Sequence, residues 1–199
     1  MPKGSHQGFA PHKNFQFFAG FTLTEVLITV LIFFLVVGAI FNIYVSSQRF
    51  YLGGETKAEL LQNGRVILER MVREIRQSRG IVTELSEQES GATSTILFED
   101  GHSTTTYQYI HYFKDGGLIK REVIGYYFSG DSNQTLVPWS SIPPEGQTLE
   151  IKTLEEPRII GEYVSVFKIW GVKPIEASLT LQSKNETLQL RTKVFDRNL

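Results

Sequence analysis

The chain contains no cysteine. Disulfides, thiolate metal sites and a cysteine nucleophile are thereby excluded, while the redox compartment is left open. Histidine is scarce: His6, His12, His102 and His111 are the whole supply. Neither sign of charge is in excess, since 20 basic against 21 acidic residues give a formal net charge of −1. A nucleic-acid binder needs clustered lysine and arginine to displace counterions, so no nucleic-acid partner is expected. The first 20 residues lack any acidic side chain and carry only Lys3 and Lys13, and residues 26–45 lack charge altogether.

That uncharged segment reads VLITVLIFFLVVGAIFNIYV, with Thr29, Asn42 and Tyr44 as its polar interruptions. Twenty helical residues rise about 30 Å, the thickness of a bilayer's hydrocarbon core. A buried core helix is the plainer alternative, but this run is apolar all round rather than striped, so it reads as a membrane span. The basic flank before it should stay cytoplasmic. An ordinary secretory leader places its small-residue cleavage site after the apolar stretch. Here Tyr44-Val-Ser-Ser-Gln-Arg49 follows the stretch, whereas the small residues Ala19-Gly20 precede it, and Phe21-Thr-Leu-Thr-Glu25 lies between. A carboxylate in lipid costs about 2.5–3.5 kcal/mol at a helix centre and less near an end. Glu25 therefore calls for a partner and a function.

Gly20-Phe21-Thr22-Leu23-Thr24-Glu25 resembles the class III leader junction of type IV pilins and type II secretion pseudopilins. The resemblance implies that a prepilin peptidase cuts between Gly20 and Phe21 on the cytoplasmic face and then N-methylates Phe21. It also implies that Glu25, fifth in the mature chain, pairs with the terminal amine of a neighbouring subunit and sets axial register during assembly. The physics agrees, because an opposite charge within about 4–6 Å favours both ionised forms. Snorkelling of Glu25 to the headgroups is the simpler alternative. Two features depart from the family pattern. Phe15-Gln-Phe-Phe-Ala19 is more aromatic and less basic than many leaders, which bears on cleavage efficiency. Asn42 stands where many major pilins carry a helix-kinking proline, which suggests a straighter anchor.

Helical patterning continues past the membrane. In residues 55–79, Leu61, Leu68, Met71, Val72 and Ile75 trace one face of an amphipathic helix. Arg65, Glu69, Arg73, Glu74 and Arg76 fall mostly on the other, with Glu69–Arg73 at the favoured i,i+4 spacing. Gly53-Gly54 reads as a weak point between the two halves, and Gly80 as a C-terminal cap. From residue 81 the texture is β. Strands are expected at 94–99, 104–113, 117–125, 148–154, 158–170, 176–183 and 186–195, with hairpin turns at Lys114–Gly117 and Ser183–Glu186 and a long loop over 129–146. The fold class is α+β: a long N-terminal helix packed on an antiparallel β head. The expected organisation is a leader at 1–20, an assembly helix at 21–45, an amphipathic helix at 46–80 and a periplasmic head at 81–199.

The segment Asn63–Gln77 (NGRVILERMVREIRQ) further resembles the stretch after the anchor in J-type minor pseudopilins, which often end in a strand followed by Arg-Asn, as Lys193-Val-Phe-Asp-Arg197-Asn198 does here. What this implies is a minor pseudopilin at or near the tip of a periplasmic pseudopilus of a type II secretion system. Its partners would be prepilin peptidase, other minor and major pseudopilins, the inner membrane and the inner-membrane assembly platform. The alternatives are a minor pilin of a type IV pilus and, from another class, a membrane-anchored enzyme or sensor. Chemistry of the chain's own is not expected. There is no Gly-x-Ser-x-Gly elbow, no convincing Ser/His/Asp arrangement and no phosphate loop. No cofactor or metal is assigned; His102 and His111, placed on opposite faces of one strand, lack a third ligand. Asp131, Glu155 and Glu156 are the remaining candidates for calcium, without a spaced oxygen-ligand loop. Asn133 and Asn185 match the glycosylation sequon. Trp139 and Trp170 read as core or loop anchors.

Overall fold

The computed structural model describes residues 20–102 and 106–195. The leader before Gly20, the expected strand positions 104 and 105, and the Arg197-Asn198 ending lie outside them. Helix α1 spans Leu23–Gln77, and the chain divides into two units between Arg49 and Phe50. The α+β architecture is the one expected.

In the first unit the helix carries large apolar side chains, from Val26 to Tyr44, that are exposed on every side. One window of α1 has a mean hydropathy of 2.9 and is long and apolar enough to cross a membrane. Its polar interruptions are satisfied on the helix itself. Thr29 Oγ1 donates to the Glu25 carbonyl (2.7 Å) and Asn42 Nδ2 to the Gly38 carbonyl (2.9 Å). In hydrocarbon such i−4 bonding would remove the cost of an unpaired polar group.

In the second unit α1 continues through Gly53 and Gly54, both helical. The residues it buries are Thr56, Leu60, Gly64, Ile67, Leu68, Met71 and Ile75, recurring mostly every three or four positions. The stripe is rotated from the expected one: Leu61 is exposed and Val72 only half-buried, while Leu60 and Ile67 take the core. The expected i,i+4 pair Glu69–Arg73 is replaced by Arg65–Glu69 (3.8 Å) and Arg70–Glu74 (3.4 Å). Gly80 is not the cap. The helix ends as Ser78 N and Oγ both donate to the Ile75 carbonyl, and Gly80 accepts from Glu99 N (2.9 Å) alongside the first strand.

Seven antiparallel strands follow: β1 Thr95–Glu99, β2 Tyr109–Asp115, β3 Leu118–Phe128, β4 Leu149–Gly161, β5 Val164–Trp170, β6 Ile175–Ser183 and β7 Glu186–Val194. They form a four-stranded sheet in the order β1-β2-β3-β4 and a three-stranded sheet in the order β5-β6-β7. Thr93 and Ile169 exchange two backbone bonds (3.0 and 2.8 Å), joining the start of β1 to β5. Residues 79–83 bond along the outer side of β1. Among the described residues β4 and β7 are therefore the sheet edges without a strand partner.

Several strand boundaries differ from expectation: β2 begins at Tyr109, with the expected positions 106–108 outside it, and β3 runs on to Phe128 instead of ending at 125. β4 runs unbroken through Glu155-Glu156-Pro157, where a break was expected. Pro157 is tolerated because β4 is an edge strand and its pairing with β3 shifts register there, between Arg121 and Val123. The chain breaks instead at Glu162-Tyr163, inside the expected 158–170 strand, with Tyr163 at φ 62°. His102 follows β1 and is not part of β2, so the two histidines do not share a strand.

A single core unites α1 with both sheets, contributed by Ile96, Phe98 and Tyr112 on one side and Phe167, Leu179 and Leu181 on the other. Two glycines let the helix approach this closely. A Cβ at Gly64 would stand 2.5 Å from Leu190 Cδ1 and 2.8 Å from Leu181 Cδ1. At Gly161, closing β4, it would collide with Cδ1 of the fully buried Ile67.

Candidate functional site

Three groups of residues carry chemistry. The first is the helix N-terminus. Thr22 precedes the first helical residue, and its carbonyl accepts the first helical bond from Val26 N (3.2 Å). Thr22 N and Thr22 Oγ1 both donate to Glu25 Oε2 (2.9 Å each), while Glu25 N donates to Thr22 Oγ1 (3.3 Å). This is a capping box, in which residues three apart satisfy each other's unpaired helix-terminal groups. Thr24 Oγ1 lies 3.1 Å from Thr22 Oγ1. Gly20 and Phe21 are exposed and precede the helix, and among the described residues nothing stands within 4 Å of a Cβ placed on Gly20. The structure thus brings Glu25 to within one residue of the expected cleavage point and gives its carboxylate donors of its own. The T-x-x-E spacing was readable in the sequence, but the glutamate's place at the mouth of an apolar run drew attention to charge rather than to capping.

The second group lies between α1 and the four-stranded sheet. Glu74, expected on the solvated face, is turned toward β2 and β3. Its Oε2 accepts from Tyr112 OH (2.6 Å) and Arg121 Nε (3.0 Å), and Arg121 Nη1 reaches Glu155 Oε2 (3.0 Å). The Glu74 and Arg121 side chains are only 14% and 13% exposed. Burial, reinforced by the bond to Glu74, holds the Tyr112 phenol well above the usual tyrosine range. Burial works to lower the Arg121 pKa, but the bond to Glu74 and its charge, with Tyr112 and Glu155, outweigh it and the net shift is upward. No sequence signal pointed to this network, because its members are separated by 38 and 47 positions.

The third group is a row across the outer face of β1, β2 and β3. His111 Nε2 lies 2.7 Å from Thr95 Oγ1, and His111 Nδ1 lies 2.7 Å from Glu122 Oε1. Hydroxyl, imidazole and carboxylate in this sequence could relay a proton. The Thr95 hydroxyl, however, has an acceptor of its own in the Tyr112 carbonyl (3.2 Å). The row therefore works as a cross-strand polar ladder. The chain matches no family model, no curated protein and no solved structure.

The remaining candidates are dispersed. His102 bonds Asp100 (2.6 Å) in the loop after β1. Asp131 is consumed by its own loop: Oδ1 accepts from Asn133 N and Oδ2 from Thr135 N (2.8 Å each), and the Thr135 bonds, then the Asn133 bond, hold its carboxyl below the usual range. Glu155 is taken by Arg121. Asp131, Glu155 and Glu156 are not gathered, and no group of three or more metal-ligating side chains occurs among the described residues. Trp170 is buried beneath the Arg191 guanidinium (4.6 Å), a cation–π contact. Trp139 anchors the long loop through its backbone N–H on Tyr109 OH (2.9 Å).

Proposed function

We propose that this chain is a prepilin-type assembly subunit, and specifically a minor pseudopilin of a type II secretion system. In this reading prepilin peptidase removes residues 1–20 and methylates Phe21. The apolar half of α1 stays in the inner membrane until the subunit enters a periplasmic fibre at or near its tip. A minor pilin of a type IV pilus is the second reading, since it would use the same anchor. The observation that carries the proposal is the junction Gly20-Phe21 followed, at the fifth mature position, by Glu25 at the start of a helix whose next twenty residues are uncharged.

The Glu25 geometry supports it physically. Cleavage after Gly20 creates an α-amino cation one residue from Thr22, whose amide already touches Glu25 Oε2. The carboxylate is pre-positioned at the helix mouth by its capping bonds. The positive end of the helix dipole favours a negative charge there. It can exchange a hydroxyl donor for the amine of a neighbouring subunit, a stronger, charge-assisted partner.

The deciding measurement is the intact mass and N-terminal sequence of protein extracted from its native membrane. A chain beginning at N-methylated Phe21 is expected. A chain still beginning at Met1 beside an active prepilin peptidase refutes the assignment. Substitution separates the two roles of Glu25. Glutamine keeps the capping acceptor but not the charge, whereas alanine removes both, at a cost to helix initiation of about 1 kcal/mol. Glu25→Gln and Glu25→Ala should both be processed normally and both fail to co-assemble with partner subunits. Normal incorporation of Glu25→Gln would reduce Glu25 to a cap.

A further inference from the structure

A groove of about 500 Å³ lies between α1 and the end of β4, apolar along its floor and acidic at its rim. Its helix wall is Glu59, Asn63 and Val66, spaced i, i+4 and i+7 and so on one face over about 10 Å. The sheet wall is Ile159, Glu162 and Tyr163. Val66 and Ile159 are each 54% exposed and Tyr163 is 38% exposed, so three large side chains stand in water along one groove. Apolar surface gathered in this way, and rimmed by polar residues, marks a place where something docks.

The sheet wall is pinned to its surroundings. Asn63 Nδ2 donates to the Glu162 carbonyl (3.1 Å), Gln182 N donates to the Tyr163 carbonyl (2.7 Å), and the Tyr163 hydroxyl donates to Glu59 (3.4 Å). These bonds hold Tyr163 in the left-handed region at φ 62°, a strained conformation for a bulky residue. The ring is thereby fixed at the groove before any partner arrives, which lowers the ordering cost of binding. The charge of the groove is one-sided. Glu59 and Glu162 make no ion pair among the described residues, and no described cation lines the groove. Lys120, which faces Ile159 across β3 and β4, is engaged by Asp115.

We propose that this groove receives an amphipathic helix of a different membrane-anchored subunit, one whose apolar stripe is edged by lysine or arginine. Charge complementarity selects the cations, since two carboxylates without counter-ions repel an acidic partner and attract a basic one. Shape selects the helix: the groove follows α1, and a second rod can lay its apolar face along such a channel. An added strand is disfavoured, because Pro157 and the register shifts beside it blunt the β4 edge. A second copy of this chain does not suit the site, because Arg65 and Arg70 on its α1 are already held by Glu69 and Glu74. The proposal rests on the assembly reading above and adds to it which surface of the head receives a neighbour and the chemistry by which that neighbour is chosen.

The test places photoreactive benzoylphenylalanine at Ile159 and, separately, at Val66 of the full-length chain in its native membrane, and sequences the cross-linked peptide by mass spectrometry. The expected product is a helix of another membrane-anchored subunit, with apolar residues three and four apart and lysine or arginine beside them. Glu162→Lys should lower the yield about tenfold or more, and replacing the captured helix's cations by glutamate should restore it. The Glu162 side chain is exposed and bonds nothing among the described residues, so the loss would report docking and not folding. The proposal is overturned by no cross-link from either position, or by an unchanged yield with Glu162→Lys. It is equally overturned if the product is a peptide of this chain, an acidic or extended segment, a lipid or a soluble protein. Leader removal is read separately, from the N-terminal mass in the same preparation. A chain beginning at Phe21 without the cross-link refutes the docking alone, and a cross-linked chain still beginning at Met1 refutes the prepilin reading alone.

Discussion

A Gly20→Ala chain, or one with a bulkier residue there, is expected to keep its leader, so that the mass recovered from native membranes is that of the uncut chain. The expectation is close to all-or-none. A peptidase working at the membrane face must draw the scissile backbone into its site, and glycine alone brings no Cβ to that approach. Among the described residues nothing opposes such a variant, since a Cβ at Gly20 would meet none of them within 4 Å and the residue lies outside α1. Loss of processing would then report the demand of the peptidase and not a folding defect. Anchor and head should be unchanged, with membrane association retained and the leader still in place. Full processing of Gly20→Ala would place the cleavage elsewhere and remove the assigned junction, and with it the identification of Glu25 as the fifth mature residue.

What the sequence discloses and what it hides divide along physical lines. The apolar helix was legible because a charge-free run of twenty residues has few competing explanations, and the hairpins because Lys114-Asp115-Gly116-Gly117 and Ser183-Lys184-Asn185-Glu186 name their own turns. Alternation in β6 correctly put Ala177, Leu179 and Leu181 inside. The helix stripe came out rotated because counting apolar side chains overlooks Gly64, which is buried by having no side chain. It also cannot anticipate that α1 packs on two sheets, which shifts the buried arc toward Leu60 and Ile67. Pro157 misled for a similar reason: whether a strand tolerates proline depends on its being at an edge, and edge position belongs to the topology. The true break at Tyr163 has neither glycine nor proline to announce it. At the candidate site, chemistry was readable only where its residues lie close in the chain, and not where the partners are tertiary. Gly20, Phe21 and Glu25 lie within six positions of one another, whereas Glu74 meets partners on β2 and β3 and was assigned to solvent with the charged residues of its helix face, Arg73 and Arg76 among them.

That network yields the second large effect. Glu74→Ala should destabilise the head by about 3 kcal/mol, more than a hundredfold in the unfolding equilibrium. Removing the carboxylate leaves the Arg121 guanidinium, 13% exposed, with Glu155 as its remaining carboxylate, and that partner is itself 46% exposed and screened by water. It also leaves the Tyr112 hydroxyl, on a side chain with no solvent exposure, without its acceptor. A half-broken polar cluster in low dielectric costs more than the cluster contributed when whole, because each abandoned group must be desolvated for nothing in return. Two variants test this logic. Glu74→Gln retains an acceptor for Tyr112 and loses only the charge, so it should fall between wild type and alanine. Arg121→Met with Glu74→Leu removes both charges and should recover much of the loss, as buried ion pairs replaced by apolar groups of similar volume often do. Denaturant unfolding of the full chain in detergent, followed by fluorescence of the buried Trp170, provides the measurement. A midpoint for Glu74→Ala within about 0.5 kcal/mol of wild type, the range of an ordinary surface substitution, would mean that the network does not hold α1 to the sheet.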